Sequence, residues 1–472
     1  MSQTAPAQSG KQHRNPRSLV HHRAFLKLWG AETVSQLGTQ VTLLALPLTA
    51  VLVLHATPFE VGLLGTAEFL PFLLVGLPAG VWVDRMRRRP ILIAGDLGRA
   101  VALGTVPLAY SFGVLHIVQL YVVAFISGIC TVFFDVAYQS YLPSLVDRDQ
   151  LVDGNSKLEI SRSGAQLAGP GLAGALIQLV KAPMAILVDA VSYLGSAAFV
   201  FRIRSAEPPP PKHGPDGEPH PGMKQQIGEG LRYVFRHPLL RPIAYCTATS
   251  NFFGPMAIAI LILFAVRVLE LTPGAIGVIF AIGNVGFLLG AVVSDRVAKR
   301  LGVGPTIVLS AAMFSVSGLL LPLATPSSAW TVIIVTMLIQ GFGGVVYNIN
   351  QVSLRQAITP ERMQGRMNAT IRFVIWGTIP IGSFIGGLLG GTIGLRPTLW
   401  VAGIGGLFAF LPPLFSPVRK LREIPQMEQD EGPVIVRAER ADGILERTPS
   451  AEPNLEPSLE PSLEPGDGSL EP

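Results

Sequence analysis

Charge is scarce in this chain, and cysteine scarcer still. Asp, Glu, Lys and Arg make up 14% of the 472 residues while 49% are hydrophobic, against about 25% charged in an ordinary soluble domain. A solvated globular protein is excluded. Only two cysteines occur, Cys130 and Cys246, both inside apolar runs, so neither a disulfide framework nor a thiolate metal site is expected. There is no Walker-type phosphate loop, no zinc-ligand spacing and no nucleophile elbow, which leaves ATP drive and hydrolytic chemistry without support. The expectation is a protein that is not an enzyme and needs no cofactor and no metal. The net charge of +5 is not gathered into a basic patch with interleaved aromatics, so no nucleic-acid partner is expected.

What is present is a series of long apolar runs, with a mean hydropathy of +0.47. Charges collect in short gaps and leave windows of about 20 residues nearly uncharged, the length a helix needs to cross the hydrocarbon of a bilayer. The runs lie near 25–54, 58–83, 90–113, 117–146, 158–180 and 182–202, and again near 240–268, 273–295, 304–324, 328–354, 366–391 and 396–416. About twelve spans are expected, in an all-α membrane protein whose lasting partner is the lipid bilayer. Basic residues mark alternate gaps: Lys11, Arg14, Arg17, Arg23 and Lys27; Arg85, Arg87, Arg88 and Arg89; Arg296, Lys299 and Arg300; Arg419, Lys420 and Arg422. The other gaps hold almost none beyond Lys181, Arg267 and Arg396. By the positive-inside rule both termini face the cytoplasm, as a multi-pass protein of the cell (plasma) membrane. The polar, basic opening segment has no h-region and reads as a retained tail.

The organisation follows. Residues 1–23 form an N-terminal cytoplasmic tail and 24–203 a first six-helix bundle. A cytoplasmic linker and amphipathic helix occupy 204–238, with Pro208 to Pro211 barring helix and Ile227, Leu231 and Phe235 at helical spacing. Residues 239–418 form a second six-helix bundle. Residues 419–472 are an acidic tail ending in Leu-Glu-Pro-Ser repeats, expected to be disordered.

The two bundles repeat one another. Gly76-x-x-x-Gly80-x-x-x-Asp84-Arg85-x-x-Arg88-Arg89-Pro90 returns as Gly290-x-x-x-Ser294-Asp295-Arg296-x-x-Lys299-Arg300. Leu142-Pro143 leaves the fourth span as Leu354-Arg355 leaves the tenth, at an offset one residue different. Parallel copies related by an axis along the membrane normal are the signature of a secondary transporter, a 6+6 bundle with pseudo-two-fold symmetry. Small residues at every fourth position let the second span approach a neighbour. Asp84 then sits where it can pair with arginines or cap a helix. Arg87 alone reads as a topology signal. The whole pattern, given twice, reads as a latch between halves, with Arg362 and Arg366 at the start of the eleventh span as the expected partners.

These residues resemble the signature loop of the major facilitator superfamily, over roughly residues 20–418. Ala165-x-x-x-Gly169-Pro170-x-x-Ala173-Gly174 resembles the antiporter motif of its drug exporters; Pro170 bends the helix and the small residues allow close packing. Phe25-Leu26-Lys27-Leu28-Trp29, Ser35-Gln36-Leu37-Gly38, Leu142-Pro143, Asp189-Ala190-Val191-Ser192-Tyr193, Arg355-Gln356 and Gly365-Arg366 are similar to the twelve-span drug–proton antiporters that include macrolide and enterobactin exporters. Thr39 stands where many relatives carry an acid, and the fourth span lacks the buried arginine motif of other drug-exporter groups, so the proton route has to be sought in this chain's own residues.

Five ionisable residues interrupt the apolar runs: Glu32, Glu68, Arg99, Asp135 and Asp189. Each costs roughly 2.5–3.5 kcal/mol at the bilayer centre on insertion scales, so each is expected to face the bundle interior. Burial disfavours the charged form of a carboxyl, which makes Glu32, Glu68 and Asp135 candidates to bind and release protons. The alternative is static ion pairs that only fix packing. Asp96, Glu159 and Arg162, nearer the span ends, read as structural. The second half offers Asn251, Asn284, Gln340, Asn348, Asn350, Gln351 and Arg372 with Phe252, Phe253, Phe287, Tyr347 and Trp376. An acidic half facing an amide and aromatic half suits a small amphiphilic organic substrate.

The expected function is export of such molecules by proton antiport and alternating access, by a functional monomer. A proton-coupled uptake symporter, a lysophospholipid transporter and a transport-inactive membrane receptor or scaffold are the alternatives.

Overall fold

The computed structural model describes residues 19, 22–84, 86–146, 150–203 and 223–424, and every regular element among them is a helix. The first half contains α1 (Arg23–Leu52), α2 (Pro58–Asp84), α3 (Arg88–Ser111), α4 (Ile117–Leu145), α5 (Leu151–Val180) and α6 (Ala182–Phe201). After α7 (Met223–Arg236) come α8 (Leu240–Arg267), α9 (Pro273–Leu301), α10 (Val303–Ser317), α11 (Ala329–Ala357), α12 (Glu361–Thr392), α13 (Leu395–Leu407) and α14 (Leu411–Leu414). A 3-10 turn extends α10 to Leu323, and α13 with α14 forms one span.

Eleven candidate spans among the described residues are long and apolar enough to cross a membrane. The twelfth expected span, α5, has 30 residues, but Asp153, Asn155, Lys157, Glu159 and Arg162 crowd its opening turns. Of these, Asn155, Glu159 and Arg162 line the cavity described below and Lys157 pairs with Asp153, while α5 packs between α1 and α9. The protein is an all-α membrane protein built as a 6+6 bundle.

Local sequence sets the helix ends. A reciprocal capping box opens α2, with Thr57 N donating to Glu60 Oε2 at 2.7 Å and Glu60 N to Thr57 Oγ1 at 3.3 Å. Thr272 Oγ1 accepts from Ala275 N to cap α9, with Pro273 in the first turn. At the other end of α9, Gly302 takes φ of +92°, which favours glycine.

The same neighbours recur in each half. Helix α1 packs on α5 and α6, α2 on α4, and α3 on α4 and α6; correspondingly α8 packs on α12 and α13, α9 on α11, and α10 on α11 and α13. This repeated set of pairings is the pseudo-two-fold symmetry of parallel repeats. Small residues carry the approach, since lipid supplies no hydrophobic drive between helices. A Cβ added to Gly290 would lie 2.8 Å from the Phe342 carbonyl oxygen.

The halves meet through α2 against α12 and α5 against α9. We call the end holding the α1–α2 turn the far end, and the end where both bundles start and finish the base. At the far end a Cβ on Gly387 would lie 2.7 Å from Gly62 Cα, and one on Gly174 would lie 2.8 Å from Gly277 Cα. Arg267 Nη2 also donates to the Ala56 carbonyl at 2.7 Å. Midway, Thr66 Oγ1 donates to the Pro380 carbonyl at 3.2 Å and Asn284 Nδ2 to the Gln166 carbonyl at 2.6 Å. Towards the base the helices part: a Cβ on Gly76, Gly80, Gly164 or Gly365 would meet nothing within 4 Å. The bundle is closed at the far end and open at the base.

Three expectations change here. Gly76 and Gly80 do not bring α2 against a neighbour in this conformation; close approaches of α2 fall at Gly62, against Gly387 of α12, and at Glu68 and Pro71, against Gly128 of α4. Helix α7 seats itself one residue away from the expected apolar stripe, through Gly230 and the fully buried Val234, while Leu231 and Phe235 are half-buried. A Cβ on Gly230 would lie 2.7 Å from the Arg366 carbonyl oxygen, so a glycine contact that hydrophobic spacing does not signal fixes the register on α12. Finally, residues 419–424 are built into the fold, because the carbonyls of Leu421 and Arg422 accept from Gly304 N at 2.8 Å and Val303 N at 3.2 Å. The linker 204–222, Arg85 and the tail from 425 lie outside the described residues.

Candidate translocation cavity

A cavity of about 830 Å³ lies against the first half, within the range that holds a drug-sized ligand. Glu32, Glu68, Arg99, Asp135 and Asp189 all line it, from α1, α2, α3, α4 and α6. Five positions spread over 158 residues of sequence thus share one wall. Among the described residues, Trp376 is the one second-half side chain in the lining.

Arg99 is the hub of that wall. It is 4% exposed, and its Nη2 donates to Asp96 Oδ1 at 2.6 Å, one turn earlier on the same helix. Its guanidinium is sandwiched between the rings of Phe134, 4.4 Å away, and Tyr193, 4.1 Å away. The flat, weakly hydrated ion suits such a slot. Asp96, read as structural from sequence, is fully buried in this pair. The signal for it was the Asp96-x-x-Arg99 spacing, which puts both groups on one helix face.

The other carboxyls differ in how they are held. Asp189 is fully buried, and its Oδ1 accepts from Ser192 Oγ at 3.0 Å. A Cβ on Gly38 would collide with both groups, so the glycine makes room for this side chain where α1 crosses α6. Glu32 accepts from Gln36 Nε2 at 2.7 Å. Glu68 and Asp135 make no hydrogen bond or ion pair among the described residues. Arg99, Arg162 and Arg372 lie within electrostatic reach of Asp135, the last of them reaching across from α12. Glu159 and Arg162, also read as structural, line the cavity on its base side.

The amide face expected of the second half is largely spent on packing. Asn251 Nδ2 donates to the Thr247 carbonyl, Asn350 to Ser294 Oγ and the Val346 carbonyl, and Gln351 to Asn348. Asn284, Gln340, Phe253 and Phe287 instead line a separate pocket of about 300 Å³ within the second half. Trp376 stacks on Phe72 of α2, centroids 4.2 Å apart and planes 9° from parallel, with Phe69 beside them at 6.4 Å.

The loop residues are distributed as follows. Arg89 donates to the carbonyls of Val200 at 3.3 Å and Phe201 at 2.5 Å, tying α3 to the end of α6. Arg88 begins α3. Asp295 pairs with Lys299 at 2.7 Å, and Arg296 Nη1 donates to the Val292 carbonyl. Arg366 pairs with Glu229 of α7 at 2.8 Å. The side chains of Asp84 and Arg362 lie outside the description. In the motif of α5, a Cβ on Gly169 would lie 2.5 Å from Gln40 Cβ of α1, and Gly174 faces Pro273 and Gly277 of α9.

Twelve helices in two parallel repeats around a polar cavity at membrane depth define a transporter of the major facilitator superfamily. Residues 16–443 match the family described as transmembrane secretion effector, and the chain belongs to that family. It is 27% identical over 408 residues to the multidrug efflux pump Tap of Mycolicibacterium fortuitum, covering 82% of this chain and 93% of that protein. It is 23% identical over 404 residues to macrolide efflux protein A of Streptococcus pyogenes, covering 84% and 97%. Among solved structures, a bacterial homologue of the iron transporter ferroportin in its inward-facing state matches with a TM-score of 0.67 at 17% identity, covering 84% of this chain and 99% of that one.

Proposed function

We propose that this protein exports small amphiphilic organic molecules from the cytoplasm in exchange for protons, by alternating access of a central cavity. The observation that carries the reading is the contrast among the buried acids. Among the described residues, Asp96 and Asp189 each hold one carboxylate oxygen in a hydrogen bond, whereas Glu68 and Asp135 line the cavity with no hydrogen bond or ion pair. An acid held in a pair is a structural element; an acid left open to a cavity is a site for a transferable cation. The lining carries Glu32, Glu68, Asp135, Glu159 and Asp189 against Arg99 and Arg162. A surplus of acids attracts either a proton or a positively charged cargo, and competition between the two for one set of carboxyls is what makes exchange obligatory.

The basic gaps all fall at the base, which supports a cytoplasmic base and cytoplasmic termini in the cell membrane. The conformation described above is then open to the cytoplasm and ready to load cargo. When the halves rock, the far end opens, Glu68 and Asp135 take protons from outside, and cargo leaves. Gly76, Gly80, Asp84, Arg85, Arg88 and Arg89, with Asp295, Arg296, Arg362 and Arg366, form the latch of the opposite, base-closed state. The glycines and Pro170 of α5 keep the far-end seam tight while the base is open. Export by the two similar efflux proteins supports the direction, and a single 6+6 bundle encloses the cavity without a second copy.

The test is transport into inverted membrane vesicles with an acidified lumen, read with a panel of fluorescent amphiphiles. Accumulation that stops when a protonophore collapses the gradient is expected. Accumulation indifferent to the gradient, or favoured by an alkaline lumen, would sink the antiport reading.

A further inference from the structure

We infer that Trp376 is the cargo's contact with the second half, and that a flat, positively charged ring system docks there by taking the place of Phe72. The inference deepens the export reading, on which it rests for the word cargo, and its binding arm needs no transport measurement. Three observations converge. First, among the described residues the cavity wall is contributed by the first half except for Trp376. A ligand that is to bias how the halves sit must touch both, and this indole is the surface through which it does so. Second, the indole face is occupied from across the seam by Phe72, stacked at 4.2 Å and 9°. The aromatic pair is thus a tie between α2 and α12 at the height where the seam ends and the open base begins. Third, Glu68 and Phe72 stand four residues apart on α2, neighbours on one helix face, and Glu68 lines the same cavity with no hydrogen bond or ion pair among the described residues.

A neutral phenyl ring is a modest partner for an indole, because stacking of two quadrupoles is weak. A ring system bearing positive charge is attracted to the face of Trp more strongly, and Glu68 stands one turn away to meet that charge. Such a ligand therefore outcompetes Phe72 for the indole. Its entry also breaks the aromatic tie, which links occupancy to movement of the halves. Arg372, one turn before Trp376 on α12, keeps the ring's charge on the Glu68 side by repulsion.

The experiment is equilibrium binding of ethidium, a flat conjugated cation, to the purified full-length protein in lipid nanodiscs, read by ethidium fluorescence. Tetraethylammonium, a cation without a ring, is the competitor. Saturable binding is expected for the native chain, weakened about tenfold or more by Trp376→Leu. Phe72→Leu, which removes the competitor ring, is expected to tighten binding by about threefold or more. This opposite sign is something a merely structural role for the stack would not produce. Tetraethylammonium should displace ethidium only at a large excess. Absence of saturable ethidium binding, a Trp376→Leu constant within twofold of native, weakening by Phe72→Leu, or ready displacement by tetraethylammonium would each overturn the proposal. Ethidium binding with this pattern in a protein that moves no solute would instead retain the ring site and remove the export reading.

Discussion

Consider one methyl group added at the far-end seam. In Gly277→Ala the new Cβ would press on the Pro170 carbonyl oxygen and lie 2.7 Å from Gly174 Cα and 3.0 Å from Gly174 N. Every one of these atoms belongs to backbone, so no side-chain rotation relieves the contact and helices α5 and α9 have to separate. Overpacking of this kind costs about 1–3 kcal/mol. Under alternating access the cost falls on the far-end-closed state alone, because the opposite state has already parted the two helices there. The ratio of base-open to base-closed molecules should then drop about 5- to 150-fold.

The assay is the labelling rate of a single cysteine. With Cys130 and Cys246 replaced by serine, Asn155→Cys places a thiol on an exposed position of the cavity's base side. A membrane-impermeant maleimide applied from the base side labels it only while the base is open. Gly277→Ala should slow that labelling, by the full fold-change of the ratio when base-closed molecules predominate and by less when base-open ones do, because the rate follows the open fraction. Gly104→Ala is the control, since a Cβ there meets nothing within 4 Å. A correctly folded Gly277→Ala protein that labels at the native rate would refute the argument that the halves rock about a seam closed by these glycines.

Other outcomes follow from the same geometry. Glu68→Gln and Asp135→Asn should each flatten the dependence of flux on the proton gradient while the protein still inserts and folds; unchanged gradient dependence in both would move the proton site to Glu32. Arg99→Ala strands Asp96 in a fully buried position and should lower stability by about 3–5 kcal/mol, measured by thermal unfolding in detergent, with much of it recovered in the Asp96→Leu/Arg99→Leu double variant. At the base, His237 Nδ1 accepts from Leu239 N at 3.2 Å and Leu240 N at 3.4 Å, and burial holds its pKa below 6.5. A depressed histidine contributes stability that is complete above the unfolded value and is lost as pH falls through the folded one, so acid should loosen the α7–α8 junction in the native chain and less so in His237→Asn.

Much of the fold is legible in the sequence because a bilayer imposes length and polarity rules that read directly from composition. The apolar runs locate the spans, and the doubled loop locates the symmetry. Helix α5 escapes a hydropathy criterion for a physical reason: Asn155, Glu159 and Arg162 in its opening turns line the cavity, so that face does not have to be oily. The site is legible in part. Glu32, Glu68, Arg99, Asp135 and Asp189 stand out because charge inside apolar sequence is costly, and they share one wall. The tied acids have their partners three or four residues away on the same helix, Ser192 for Asp189, Gln36 for Glu32 and Arg99 for Asp96, a spacing the sequence displays; that Glu68 and Asp135 find no partner among the described residues is what it does not display. Nor does it show that most second-half amides are consumed by their own helices.

The loop motif shows why a repeat need not look the same in its two copies. Gly290 is packed against Phe342 within the second half, whereas Gly76 and Gly80 face open space. A glycine with nothing beside it has no packing reason in the conformation that leaves it bare. Its reason lies in a conformation where something arrives, and at the base of α2 the open seam is the place for that arrival. The same logic applies to Arg366, whose ion pair with Glu229 at 2.8 Å has side chains 32% and 36% exposed. Exposed pairs of this kind contribute about 0–1 kcal/mol, little enough to be exchanged for another acid when the halves approach. Gly80→Leu should therefore leave the base-open state untouched and penalise the closed one. It should speed labelling of Asn155→Cys from the base side, the reverse of Gly277→Ala, and slowed or unchanged labelling would mean that nothing closes against this face of α2.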